Sequence, residues 1–323
     1  MILPVYNHAT MLVRALTALV EQTVPPHEVI IIDDASTDTS LAVATDFRAR
    51  MEAVCQYRVL RNEMNLGVNR TLNRGLDLAV GTHVICTAAD DWLLPRCIEE
   101  FQTAARTFPD ARLITSRYVE YFEKADTYIE HDINSELGLW YARAPLSFFS
   151  VDEFSDLLTR GYVALPVSAS LLEVTALREV GAFDPALKWH ADWFAAYAIA
   201  LRWGFGLTSE SLAVFRVANG TYSGDNVRRR FVRRADQQRT VCEALRLKLR
   251  QRNFEDIRQH LARTPAAFAP FVRYVIATYA RHPSEWPLLA RIVFWWLNEA
   301  RRGRRPGPLR HIAKSLGVRT APR

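Results

Sequence analysis

The stretch Gly81–Pro95, GTHVICTAADDWLLP, decides how the rest of the chain is read. A turn glycine opens it. The apolar run His83–Ala88 predicts a buried strand of a parallel sheet. That run stops at two adjacent carboxylates, Asp90 and Asp91. Trp92–Leu94 and Pro95 follow, and a proline suits the first turn of a helix, here expected to run to about Thr107. Open α/β sheets bind ligands beyond the carboxyl ends of their strands, which is where this acid pair falls. Neighbouring carboxylates repel, so the pair makes sense under a cation or a set of N–H donors. Hard divalent ions such as Mg2+ take oxygen ligands and bridge to phosphates. An Asp-Asp helix cap is the alternative.

Upstream, the same alternation recurs. Ile2–Val5 reads as a short strand, Tyr6-Asn7-His8 as a loop, and Thr10 as the cap of a helix to about Gln22. Pro25-Pro26 breaks the chain. Val29–Ile32 is a second buried strand, ending at Asp33-Asp34, with Ser36 or Thr37 as N-cap of the next helix. Tyr57–Leu60 is a third strand, Asn65-Leu66-Gly67 a turn, and Val68–Val80 a helix with Leu72, Leu76, Ala79 and Val80 inward. Leu113–Thr115 is a further strand. Short connections between alternating strands and helices predict an α/β fold with a mostly parallel sheet and helices on both faces. Asp33-Asp34 and Asp90-Asp91 then share one sheet edge, which weakens the plain capping alternative.

Downstream the pattern loosens. Residues 117–160 carry Tyr118, Tyr121, Phe122, Trp140, Tyr141, Phe148 and Phe149, and read as an irregular excursion over the active edge or as ordinary core aromatics. Val167–Leu172 reads as a strand and Glu173–Val180 as a short helix. Gly181–Pro185 is a turn. Asp192 then opens a helix to about Trp203, with Trp189 and Trp193 beside it. Aromatic neighbours can desolvate a carboxylate and raise its pKa toward that of a usable base. A helix-start acid without chemistry is the alternative. Leu207–Val217 reads as an apolar strand or strand pair.

Of the 323 residues, 49% are hydrophobic and 24% charged, an ordinary globular balance. Cys55, Cys86, Cys97 and Cys242 are scattered without a CxxC, which points to reduced thiols and a cytosolic protein rather than a disulfide framework or zinc site. No signal peptide or membrane-length apolar run is present, and the natural start is expected a few residues upstream. No GxGxxG follows a strand and no GxxxxGK[ST] occurs; Gly204-Phe205-Gly206 is a lone GxG after a helix. The overall charge of +6 divides unevenly. Residues 226–323 hold 23 Lys+Arg against 6 Asp+Glu, net +17, and residues 1–225 hold 18 against 29, net −11. We therefore read two domains, 1–225 an acidic α/β body and 226–323 a basic helical module with an anionic partner. Phe268, Phe271, Val272, Val275, Ile276 and Tyr279 share one helical face, and Trp286, Leu289, Ile292, Val293, Trp296 and Leu297 another. Tryptophans beside arginines suit an anionic membrane surface; a helical hairpin on the body or a homodimer contact are the alternatives. Nucleic acid is not expected, since no binding motif accompanies the charge.

In their order and spacing, Pro4-Val5-Tyr6-Asn7, Ile31–Asp38, Asn65-Leu66-Gly67 with Asn73 and Gly75, Ala89-Asp90-Asp91, and Gly181-Ala182-Phe183-Asp184 followed by Asp192 resemble a family 2 glycosyltransferase with the GT-A fold. The resemblance covers roughly residues 1–216. It implies transfer of a sugar from a nucleotide-sugar donor to an acceptor hydroxyl with inversion. It implies that Pro4, Tyr6 and Asp34 line the nucleobase and ribose pocket, that Asp90 faces the donor's ribose or sugar, that Asp91 holds Mg2+ or Mn2+, and that Asp192 is the base. Ala191 stands where the family's base motif has glutamate, and Asp184 is the fallback base. The QxxRW element of processive synthases is absent, and Gln237-Gln238-Arg239 does not replace it, so a single addition is expected rather than polymerisation. The expected setting is cytoplasmic, peripheral on the inner face of the cell membrane, with a saccharide or lipid-linked acceptor in surface polysaccharide, lipopolysaccharide or glycolipid synthesis. The rivals are a metal-dependent nucleotidyltransferase, which lacks support from a glycine-rich basic loop at Tyr6–Thr10, and a degenerate membrane-associated scaffold.

Overall fold

Ile2–Val5 (β1) and Glu28–Asp33 (β2) are short because they are buried strands, aliphatic on both faces. In a computed structural model, which describes residues 1–131, 145–161, 163–217 and 235–301, these strands pair in parallel with Gln56–Arg61 (β3) in the order β1-β2-β3. The crossovers are the helices Ala9–Val20 (α1), Ser40–Asp46 (α2) and Arg48–Glu52 (α3). Leu12, Leu16 and Leu19 of α1 pack with Leu3, Val29 and Ile31 into one apolar core. Val68–Leu78 (α4) lies on β1, and Gly75 is there because a Cβ would run into the side chain of Ile2.

The organising run is used by two ladders. His83–Val84 (β4) pairs antiparallel with Ser170–Glu173 (β9), whereas Cys86 bridges Ile2 in parallel, with Ile2 N–H donating to Ile85 O at 3.0 Å and Thr87 N–H to Ile2 O at 3.2 Å. The second sheet also contains Trp92–Leu93 (β5), Leu113–Phe122 (β6), Thr127–His131 (β7), Leu146–Phe149 (β8) and Phe205–Val217 (β10), in the order β4-β9-β6-β10-β5 with β7 on β6 and β8 on β10. The α/β class read from the sequence is the observed one, and its parallel first half continues into a mixed second half. Cys97–Thr107 (α5), Val174–Glu179 (α7) and Ala191–Trp203 (α8) cover this sheet's part of the chain.

Several local expectations are corrected. Trp92–Leu93 is a strand, because it pairs with Val214 and Ala213, and α5 starts only at Cys97, past Pro95. Neither Ser36 nor Thr37 caps α2. The helix begins at Ser40, while Ser36 Oγ accepts the Asn7 N–H at 3.0 Å. Thr10 lies inside α1 rather than capping it. The excursion after residue 117 is a hairpin, β6–β7, with Tyr121 directly opposite Tyr128. Trp140 and Tyr141 fall outside the described residues.

The described chain divides into two compact units, residues 1–151 with 164–229, and residues 152–163 with 230–323. The helix Val151–Arg160 (α6) thus belongs to the second unit, where Phe154, Leu157 and Leu158 are buried and Ser155 Oγ meets His260 Nδ1 at 3.2 Å. Ala235–Leu249 (α9), Glu255–Arg263 (α10), Val272–Tyr279 (α11) and Trp286–Arg301 (α12) complete that unit. Its core is apolar, with Val241, Leu245, Phe254, Phe268, Val275 and Ile292 buried. Buried Glu285 is held there by Arg250 at 3.0 Å and Arg258 at 3.5 Å. The basic runs 228–234 and 302–305 lie outside the described residues.

Candidate active site

Val5 lies level with Asp33, and the run through Cys86 passes beside Ile2 in parallel before turning at Ala89-Asp90. Asp34 and Asp90 therefore both follow the carboxyl ends of parallel runs in this part of the fold.

Asp34 is buried and its carboxylate is engaged. Asn62 Nδ2 and Leu66 N–H donate to Oδ1 at 2.7 and 2.8 Å, and Gly67 N–H donates to Oδ2 at 2.9 Å. The acid thereby fixes the Asn65-Leu66-Gly67 turn and the start of α4. A carboxylate has about four acceptor positions, so one remains for a ligand. Pro4 sits half-buried in β1 and Tyr6 is exposed just beyond it. Asn7 Oδ1 accepts from Thr37 N–H at 2.8 Å and Asp38 N–H at 3.3 Å, lacing the loop after β1 to the loop after β2. Asn7 and Ala35 take φ of 55° and 60°. Left-handed backbone at a non-glycine residue such as Ala35 costs about 1–3 kcal/mol and clusters at functional sites.

Asp91 stands directly before β5, and the pairing of β5 with β10 brings its Oδ1 to the Arg216 N–H at 3.0 Å. Burial first, and the charge of Asp90 second, push its carboxyl up to about 8. Protein donors alone therefore leave this pair poorly compensated, and a bound cation would reverse the shift. The donor set is all oxygen, as Mg2+ or Mn2+ requires. No group of three or more His, Cys, Asp or Glu among the described residues could hold a metal alone. An ion there would need further oxygens from a ligand or water. Arg216 itself is gripped by Glu123, whose carboxylate accepts from Nε at 3.1 Å and from Nη2 at 2.6 and 2.7 Å. Sequence reading missed this pair, because 93 residues separate the two and no motif marks either.

Asp192 enters through α4. Asn73 exchanges two hydrogen bonds with the backbone of Phe183, each 3.0 Å, and Asn69 Nδ2 donates to Lys188 O at 2.7 Å. The helix whose start is fixed by Asp34 thus also holds the segment that delivers Asp192. Asp192 is exposed to solvent, yet protein surrounds it closely enough for desolvation to raise its pKa. Its Oδ1 accepts the Trp193 N–H at 2.7 Å. Ala191 before it is fully buried, which leaves no place for a second acid. Asp184 Oδ1 accepts the Ala186 N–H at 3.0 Å and so caps the turn preceding α8.

Residues 1–155 match the family model described as Glycosyl transferase family 2. Glycosyltransferase GlyG of Streptococcus pneumoniae is 29% identical over 122 residues, covering 38% of this chain and 39% of that protein. The PGL/p-HBAD biosynthesis glycosyltransferase of Mycobacterium bovis is 33% identical over 92 residues, covering 28% and 35%. The chain therefore spans little more than a third of the length of these relatives. Among solved structures, S. aureus TarS 1–349 in complex with UDP-GlcNAc has a like fold, with TM-score 0.55, 15% identity and coverage of 94% and 91%. The mannosyltransferase PcManGT from Pyrobaculum calidifontis, in complex with GDP-Man and Mn2+, has TM-score 0.50, 16% identity and coverage of 98% and 79%. Over residues 1–155, this chain matches glycosyl transferase family 2.

Proposed function

We propose that the protein is an inverting glycosyltransferase that moves one hexosyl-type sugar from a nucleoside-diphosphate sugar to an acceptor hydroxyl. The observation that carries this reading is the under-compensated Asp90–Asp91 pair, which like Asp34 follows the carboxyl end of a parallel run. Pro4, Tyr6 and Asp34 line the pocket for base and ribose. Asp90 addresses the donor's ribose or sugar. Asp91 holds Mg2+ or Mn2+, which when bound supplies Lewis-acid stabilisation of the departing diphosphate. Asp192 accepts the acceptor's proton as its oxygen bonds to the anomeric carbon. The bond from that carbon to the diphosphate breaks on the opposite face, so the configuration inverts. Desolvation suits Asp192 to this work, since a base is most useful when its pKa approaches the working pH. Solved proteins of like fold hold UDP-GlcNAc, or GDP-Man with Mn2+, which favours a nucleotide-sugar donor and a divalent ion here. The acceptor is a saccharide or lipid-linked glycan of surface polysaccharide, lipopolysaccharide or glycolipid synthesis, met at the inner face of the cell membrane.

The test is hydrolysis of a panel of UDP-, GDP-, ADP- and dTDP-sugars with Mn2+. Release of a nucleoside diphosphate from one of them, lost on adding a chelator, is expected. Release of pyrophosphate from a nucleoside triphosphate and a sugar 1-phosphate, with no nucleoside diphosphate from the panel, would make the protein a nucleotidyltransferase, and no turnover with no binding of any nucleoside diphosphate would remove the enzymatic reading.

A further inference from the structure

Helix α12 is apolar on both faces. Leu288, Ile292 and Trp296 are buried in the second unit. On the other side, Trp286, Ala290 and Phe294 are exposed, and at 100° per residue they fall in one arc with half-buried Leu297. Trp286 is 55% and Phe294 68% exposed, although both are large apolar side chains. A helix that is apolar all round is ordinarily covered all round. Arg291 is exposed beside this arc, Arg301 is exposed within it at the C-terminal end of the helix, and Arg281 is exposed just before the helix. The sequence continues directly into Arg302, Arg304 and Arg305.

We propose that the outer face of α12 docks on an anionic lipid bilayer. Trp and Phe are suited to the boundary between headgroups and acyl chains, while arginine stems lie along that boundary and carry their charge to lipid phosphates. No helix among the described residues is long and apolar enough to cross a membrane, so the contact is interfacial. Charge selects this occupant over a second copy of the chain. A two-fold contact would set the same patch against itself and bring like arginines together, in a region that holds 23 Lys+Arg against 6 Asp+Glu. An anionic surface meets that excess with opposite charge. The inference deepens the proposed function, on which it rests only for the purpose of the contact, namely reaching an acceptor at the membrane. The binding itself is measured without turnover.

The experiment is co-sedimentation of the full chain with phosphatidylcholine vesicles, with and without phosphatidylglycerol, alongside Trp fluorescence. Binding to the anionic vesicles, weakened by salt, is expected. It should fall about tenfold or more in Phe294→Glu and persist in Phe294→Trp. Thermal melting establishes that each variant is folded, and Trp286→Glu serves in place of Phe294→Glu if that variant unfolds. Absence of vesicle binding, equal binding to neutral vesicles, or unchanged binding in the folded Glu variants would overturn the proposal. So would self-association that the Glu substitution abolishes, because the face would then be an interface between copies. Donor hydrolysis without vesicles should be unchanged in Phe294→Glu. A parent chain that binds vesicles but hydrolyses no donor would leave the docking intact and remove only the transferase reading.

Discussion

Asp91 and Asp192 share a raised pKa but from unlike surroundings, and their substitutions should separate accordingly. Asp91 is crowded by Asp90 and by burial, with one backbone N–H from Arg216 on its side. Asp91→Ala should abolish the effect of Mn2+ on nucleoside-diphosphate binding, read by calorimetry with and without the metal. Affinity that responds to Mn2+ as in the parent would move the metal elsewhere. For Asp192, the base must be ionised, so the rate should rise with pH through its raised pKa and then level off. Asp192→Asn should lose about 10^2–10^4-fold in rate and lose that limb of the profile with it. Stability runs the other way. A carboxyl with a raised folded-state pKa binds its proton more tightly in the folded chain than in the unfolded one. Its contribution is therefore fully present below the unfolded pKa and is lost as pH rises through the folded value. Asp192→Asn should accordingly melt higher than the parent at neutral pH and converge with it in acid. A variant that melts lower at every pH would show that the carboxylate holds structure instead.

Helix α4 does the joining between these residues, and two of its positions test that. A methyl at Gly75 would meet Ile2 of β1, so Gly75→Ala sets an overpacking cost of about 1–3 kcal/mol against a helix-propensity gain of about 1 kcal/mol. The packing term should win, giving a lower urea midpoint with an unchanged m-value. Asn73 both donates to and accepts from Phe183, so Asn73→Asp removes the donor and leaves the Phe183 carbonyl unpaired, at about 1–3 kcal/mol. It should also lower kcat more than donor affinity, because it loosens the segment before Asp192 and leaves the Asp34 turn in place. The elements were legible to the extent that their period was plain. The aliphatic runs of β1 and β2 announced themselves, as did Leu72 and Leu76 of α4, whereas Ala79 and Val80 lie past the end of that helix and Val80 is exposed rather than inward. β5 did not, because a two-residue strand is set by what it pairs with, and β4 showed only as the start of a longer parallel run, His83–Ala88, whereas it pairs antiparallel with β9. The β6–β7 hairpin was hidden because its turn uses Asp126 in the left-handed region, where a glycine would have signalled it. Of the site, the acids were visible as strand-end and helix-start residues. Their holders, Asn62, Glu123 and the Arg216 backbone, were not, since tertiary pairing alone assigns them.

At the scale of the molecule, the described residues form two cores of different make, α/β in the first unit and all-helical in the second. The proposed donor site draws all its residues, from Pro4 to Asp192, from the first. A ligand that binds only the folded form of a unit stabilises it by RT ln(1 + [L]/Kd), about 2.7 kcal/mol at a hundredfold excess over Kd. Nucleoside diphosphate with Mn2+ should therefore raise the melting of the first unit and leave that of the second where it was, as seen in scanning calorimetry. Asp91→Ala should remove most of the shift, while Phe294→Glu, on α12, should keep it whole. If both heat-absorption peaks moved together, or only one peak existed and moved as a whole, the two cores would be melting as one cooperative body. The ligand would then report on the chain rather than on the unit that holds the acids.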